Sequence, residues 1–237
     1  MAYQKVFKRH ELKYILTKEQ KERILKAIEP YMMLDKYGRT TIQNIYFDTD
    51  NYRLIRRSIE KSDYKEKLRV RKYVNKNEEH KVFVEIKKKY DKVVYKRRLA
   101  MGEEDAKRWL TGEAPCEVDS QIAREIDYFL QYYEGLHPAL FLSYEREAYY
   151  YKDGGEFRIT FDENILCRQE DMSFEADSGG IPVLEEGKAV MEIKCVGGMP
   201  LWMTEILSKE KLYKTSFSKY GTAYQNIIYP KMRGEQI

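Results

Sequence analysis

From residue 7 the chain reads "FKRHELKY", and every second side chain on one side of this strand-like run is charged: Arg9, Glu11 and Lys13. Side chains alternate across a β-strand, so residues i and i+2 share a face. The alternation recurs with Lys67, Arg69 and Arg71; Glu85 and Lys87; Lys96 and Arg98; Arg146; Arg158 and Asp162; and Glu192 and Lys194. The intervening positions hold Leu68 and Val70, Val84 and Ile86, Tyr95 and Leu99, Phe157, Ile159 and Phe161, and Met191 and Ile193. On one strand this is a solvated face over a core face. Repeated across one curled antiparallel sheet with helices covering its apolar side, it turns the charged faces toward a shared, wet interior.

The rest of the chain supplies the cover and the remaining strand. Thr17 and Gln20 form a capping box ahead of Ile24, Leu25 and Ile28, so residues 17–33 are predicted as an amphipathic helix. "TTIQNIYFD" (40–48) is strand-like, and 50–61 reads as a short helix capped by Asp50. Strands are expected over 64–73, 81–89 and 93–101, the last two joined by a turn at residues 90–92, and short links imply antiparallel neighbours. Two helices follow, over 103–111 and over 119–135 with Asp119 as cap, and then a hairpin of 140–151 and 156–162. Residues 169–187 read as a long surface loop, either an ordinary one or a lid. An eighth strand (189–195) and helices near 200–210 and 218–229 close the chain. Neither a repeat nor a Pro/Gly-rich linker interrupts residues 1–237, so a single α+β domain is expected.

Composition says little about the ligand, because 43 Lys plus Arg against 39 Asp plus Glu leave a net charge of only +4. Distribution says more. The predicted interior gathers Arg9, Lys13, Lys67, Arg69, Arg71, Lys87, Lys96, Arg98, Arg146, Arg158 and Lys194 against few acids. Like charges at close quarters need an anion, and the planar fork of arginine matches phosphate oxygens, so a compact chain of phosphates is the expected ligand. Glu11, Glu85, Asp162 and Glu192 share the register of the cations. They either pair with them or hold a hard divalent ion, Mg²⁺ or Mn²⁺, of the kind phosphoryl transfer requires.

Cys116, Cys167 and Cys195 are odd in number and lack CxxC spacing, which suggests neither a disulfide framework nor a zinc site. His10, His80 and His137 are scattered and are assigned no chemistry. With no apolar leader and no apolar run of membrane-spanning length in the sequence, a cytoplasmic location is expected.

The ordered set "RHELKY", "YFDT", "KLRVRKY", "VFVEIKKK", "VYKRRL", "YERE", "RITFDENI", "MEIK" and "SFSKYGTAY" resembles the vacuolar transporter chaperone (VTC) catalytic domain. That domain is the polyphosphate polymerase branch of the triphosphate tunnel, or CYTH-like, superfamily. The resemblance implies an eight-stranded antiparallel β-barrel tunnel with helices packed outside, binding ATP, triphosphate or polyphosphate. It implies phosphate ligation by Lys13, Arg69, Arg71, Lys87, Lys96, Arg98, Arg146, Arg158 and Lys194, and metal binding by Glu192. Lys219 of "SFSKYG" matches a lysine near the tunnel mouth. Lys13, Arg69, Arg71, Lys87, Arg146 and Lys219 would then stabilise charge on the transferring group. Hydrolytic relatives carry ExExK on the first strand; here Arg9 takes the first position, which favours transfer over hydrolysis. Ser216 stands where the polymerases tend to place another basic residue. The inositol-phosphate-sensing module and membrane helices of the eukaryotic assemblies are absent from this sequence, so regulation and translocation would need a separate membrane partner.

Four functions compete: a metal-dependent polyphosphate polymerase, a triphosphatase, a non-catalytic polyphosphate- or nucleotide-binding module, and a nucleic-acid binder. The last should carry exposed stacking aromatics among its basic residues, whereas here basic rows are backed by apolar ones, so no nucleic-acid partner is expected.

Overall fold

The computed structural model describes residues 9–60, 62–74, 81–91, 93–175 and 177–234, excepting the Arg9 side chain. Residues 7 and 8 of the first expected strand, the Arg9 side chain, His80, Lys92 of the expected turn and the last residues of the chain lie outside that description. The strands are β1 (Arg9–Thr17), β2 (Met32–Leu34), β3 (Thr40–Asp48), β4 (Tyr64–Tyr73), β5 (Lys81–Tyr90), β6 (Val93–Gly102), β7 (His137–Tyr151), β8 (Arg158–Arg168), β9 (Ile181–Pro182) and β10 (Lys188–Val196). The helices are α1 (Lys18–Ile28), α2 (Arg53–Ile59), α3 (Glu103–Leu110), α4 (Gln121–Tyr132), α5 (Leu201–Lys209), α6 (Lys219–Ala223) and α7 (Tyr229–Met232), a π-helical turn (Tyr224–Ile228) linking the last two.

Two compact units interleave along the sequence. The first comprises Met1–Thr40, Tyr144–Ile165 and Leu184–Phe217, the second Thr41–Ser143, Leu166–Val183 and Ser218–Ile237. In the first unit the strand order is β1-β10-β8-β7, with β2 also pairing β7. In the second it is β7-β3-β4-β5-β6. The ladders of β1 with β10, β10 with β8, β3 with β4, β4 with β5 and β5 with β6 are all antiparallel. All eight expected strands are present, and the α+β class holds. The expected barrel needs correction: the path ends at β1 and β6, and among the described residues no ladder joins these ends. Closure needs the second edge of β1 to pair with the second edge of β6; among the described residues β1 meets Thr215 there, at Lys13, and β6 pairs only with β5.

The apolar faces are covered as the alternation requires. In the first unit Tyr14, Phe157, Ile159, Phe161, Met191 and Ile193 pack with Ile24 and Ile28 of α1 and Met203 of α5. In the second, Leu68, Val70, Val82, Val84 and Ile86 pack with Trp109 of α3 and Ile126 and Phe129 of α4. Each fully buried large apolar side chain of this kind contributes roughly 1.5–3 kcal/mol.

Local signals explain most boundaries. The Thr17/Gln20 capping box starts α1, with Thr17 N donating to Gln20 Oε1 at 3.0 Å. The helix stops at Ile28, short of residue 33, because Pro30 cannot continue it and residues 32–34 join β7 instead. The cap of α2 is Asp48, not Asp50: its carboxylate accepts from the backbone N–H of Leu54 and Ile55 at 2.9 and 3.0 Å. Ser120, not Asp119, caps α4 through the backbone N–H of Ala123. The segment after β8 is tied down rather than shaped as a lid. Arg168 donates to the carbonyls of Asp171, Ser173, Asp177 and Gly179, and Ser178 holds Gln43 and Ser143. Cys116, Cys167 and Cys195 are all free thiols.

Candidate functional site

In the second unit, strand register brings the cations into rows across three strands. Lys67, Lys87 and Lys96 stand directly opposite one another on β4, β5 and β6, and the next row is Arg69, Glu85 and Arg98. Arg71 extends the face by two residues along β4. Like charges directly opposite each other destabilise a sheet, so three lysines in one row are a cost that an anion relieves. Glu85 is the single carboxylate on this face of β4–β6. Arg69 forks onto its Oε2 at 2.8 and 2.7 Å, Lys96 Nζ reaches Oε1 at 2.7 Å, and Arg71 Nε stands 4.0 Å away. Burial alone would raise the Glu85 pKa, but Arg69, Arg71 and Lys96 pull it down to about 2. Burial of the Lys96 ammonium against this crowd brings its pKa down to about 8 despite the attraction of Glu85.

Strand β3 borders the rows with neutral and acidic side chains. Asn44 Oδ1 accepts from Arg71 Nε at 3.0 Å while its Nδ2 donates to the Leu142 carbonyl at 3.2 Å. Tyr46 Oη accepts from Arg69 Nη1 at 2.9 Å. Asp48, the α2 cap, accepts from Tyr220 Oη at 3.0 Å, and the Tyr220 ring lies 4.8 Å from that of Tyr46. Lys219 is the first residue of α6 and half-buried. Ser218 caps that helix by accepting from Gly221 N at 3.2 Å, and the same hydroxyl accepts from Lys67 Nζ at 3.2 Å.

The charged face of the first unit is built differently, because nearly every base there has an acid. Lys13 opposes Glu192, and Glu11 opposes Lys194, which opposes Arg158. Lys194 Nζ lies 2.7 Å from Glu192 Oε1, and the Lys13 ammonium is 3.2 Å from Glu11 and 3.8 Å from Glu192. Arg146 grips Asp162 in a two-bond fork at 2.5 and 2.7 Å. Burial would lower the Arg146 pKa, but Asp162 raises it well above the ordinary value. Burial would raise that of Glu192, but Lys194, Arg146 and Lys13 hold it at about 2. Arg158 stacks over the Tyr150 ring at 4.8 Å.

Of the four acids expected at a metal, Asp162 and Glu85 are therefore engaged by arginines. Glu11 and Glu192 converge on one point, marked by the Lys13 ammonium. Among the described residues no three His, Cys, Asp or Glu side chains form a protein-only cage. The Glu11 and Glu192 pair fits an ion such as Mg²⁺, which binds one or two carboxylates and completes its shell with phosphate oxygens and water.

The family model for the VTC domain matches residues 8–228, which spans every one of these rows. The chain belongs to the VTC domain family. No curated protein matches it in sequence. A candidate adenylate cyclase from Bacillus halodurans superposes with a TM-score of 0.53 at 17% identity, covering 88% of this chain and 92% of that one. The candidate adenylyl cyclase HpAC1 from Hippeastrum, described as having a dominant triphosphatase activity, superposes at 0.51 with 13% identity over 96% of both chains. These likenesses show that this VTC domain shares its fold with those two proteins.

Sequence reasoning missed the β3 residues of this VTC domain. Asn44, Tyr46 and Asp48 alternate in the same register as the cations, and the i, i+2, i+4 spacing of these three polar side chains is the signal the sequence carries. Among the described residues no helix is long and apolar enough to cross a membrane.

Proposed function

We propose that this VTC domain is a metal-dependent polyphosphate polymerase that transfers the γ-phosphate of ATP onto a polyphosphate chain. The observation that carries the reading is the face of β4–β6, where Lys67, Arg69, Arg71, Lys87, Lys96 and Arg98 surround Glu85 alone. A phosphate chain brings negative charge to this row of donors, and they neutralise what develops on the transferring group. Glu192 and Glu11 would hold Mg²⁺ or Mn²⁺. When bound, such an ion bridges phosphate oxygens and offsets their charge. The chain's own part is to bind and orient: Arg69 is set by Glu85 and Tyr46, Arg71 by Asn44, and Arg146 by Asp162. The arginine at position 9 favours a phosphate over water as acceptor, because it replaces a carboxylate credited with activating water in hydrolytic relatives.

A second reading, hydrolysis of triphosphate, has the activity described for the Hippeastrum protein in its favour. Incubation with ATP and Mn²⁺ or Mg²⁺, with polymer followed on a gel and free phosphate in the same tube, separates the two. Polyphosphate with ADP release is the expected result. Free phosphate without polymer overturns the polymerase in favour of the hydrolase.

A further inference from the structure

We propose that Asn44 and Tyr46 of β3 are positioning residues that hold the Arg71 and Arg69 guanidinium groups in the orientation that receives a phosphate chain. The inference rests on the anion-binding reading of the β4–β6 face and assigns part of that site to a strand that contributes no cation to it.

The geometry supporting it is regular. Asn44 stands directly opposite Arg71 and Tyr46 directly opposite Arg69, so each neutral residue meets its own arginine across the ladder. Each accepts one bond from it, at 3.0 and 2.9 Å. Asn44 is fully buried, and its amide is anchored at its other end on Leu142 O of β7. Tyr46 is 6% exposed and its ring is packed against Tyr220, which Asp48 fixes in turn. A guanidinium has several rotamers and a planar fork, so orienting it in advance removes an entropic cost from binding. A neutral acceptor does this without cancelling the charge, whereas a carboxylate in the same place would compete with the phosphate.

The electrical setting of Tyr46 gives this arrangement a signature. Facing its phenol are Arg69, Lys67 and Arg71 from β4, Tyr220 from α6, and Asn44 and Asp48 from its own strand. The β7 stretch 137–143 carries one titratable residue, His137, which lies 3.6 Å from Asp50. Burial would raise the phenol pKa, yet Arg69, Lys67 and Arg71 bring it down to about 8. A bound anion offsets those cations and restores the proton. Triphosphate binding near this pH should therefore take up protons, part of them at Tyr46 and part at Lys96.

The test is calorimetric titration of inorganic triphosphate into wild type, Tyr46→Phe, Asn44→Asp and Lys96→Arg, from about pH 7 to about pH 9, in buffers of differing ionisation enthalpy. Tyr46→Phe keeps the ring and is expected to weaken binding about three- to tenfold at neutral pH and to reduce proton uptake near pH 8. Asn44→Asp keeps an acceptor for Arg71 but adds a negative charge, and it should weaken binding more. Lys96→Arg should retain the Tyr46 share of the uptake, a readout that needs no change at β3. Unchanged affinity together with unchanged proton uptake in Tyr46→Phe overturns the positioning role while leaving anion binding intact. Should Tyr46→Phe not fold, absence of proton uptake in Lys96→Arg overturns it instead. If wild type does not bind triphosphate, the underlying reading fails, and this inference with it.

Discussion

The two charged faces start from the same alternation and arrive at opposite electrostatics. In the first unit Lys13, Arg146 and Lys194 each meet a carboxylate at 3.2 Å or less. In the second, Glu85 stands among Arg69, Arg71 and Lys96, while lysines face lysines in the neighbouring row. One face is internally balanced and carries the carboxylates suited to an ion. The other sets its cations in rows around one carboxylate of its own face, the arrangement on which the proposed anion binding rests. A charged row on a strand therefore says little until its cross-strand partners are known.

The largest expected effects break this comparison at its acids. Asp162→Asn strips the buried Arg146 of its fork and should cost about 3–5 kcal/mol in urea denaturation. Glu85→Gln should cost less, about 2–3 kcal/mol, because Arg69 and Lys96 keep 21% and 41% of their side-chain exposure. Added triphosphate should recover the loss in Glu85→Gln and leave Asp162→Asn unrescued; equal rescue of both would erase the distinction between the faces. Next in size, Glu192→Gln should lower metal-dependent turnover about a hundredfold with triphosphate affinity kept, and unchanged turnover would remove Glu192 from the ion's site. Arg69→Ala should weaken triphosphate binding roughly ten- to a hundredfold, whereas Lys194→Ala, already paired with Glu192, should cost about threefold or less. The reverse order in a titration would place the anion demand on the wrong face.

The smallest effects are those of pH. Lys96 loses its charge, and Tyr46 gains one, as pH rises through about 8, so anion affinity should fall above that value. On the acid side the sign reverses. The folded-state pKa values of Glu85 and Glu192 lie near 2, below the ordinary 4.5. Their stabilisation is therefore present above the ordinary carboxylate range and lost as pH falls through it toward about 2. Thermal melts that stay level throughout that acid window would show that these carboxylates are not held by their cations.

Strands, faces and covering helices were legible because periodicity is a local property: Leu68 and Val70 point one way and Arg69 and Arg71 the other whatever their neighbours do. The row of Lys67, Lys87 and Lys96 was not, because it exists only at one register of β4, β5 and β6. For the same reason, the choice between pairing and metal binding at Glu85 and Asp162 could not be made from spacing. Asp50 stands beside α2 in the sequence, where a cap is expected, whereas Asp48 reaches the helix from the end of β3. Asn44 and Tyr46 carry no charge, so their place beside Arg71 and Arg69 exists only at the β3–β4 register.

Strand β6 lies at the end of its path, with Lys96, Arg97 and Arg98 consecutive along it and Val93, Val94 and Tyr95 about half exposed just before them. Among the described residues β6 pairs along one edge only; an end strand beside apolar side chains is a template for self-association, and its consecutive cations place positive charge on both faces, which opposes the approach of a second such edge. Lys96 and Arg98, proposed to bind the anion, thus also oppose edge-to-edge association. On the proposed reading, neutralising Lys96 or Arg98 would remove a phosphate ligand and an edge-protecting cation together, and a long polyanion masking both would favour the gathering of several copies along one polymer.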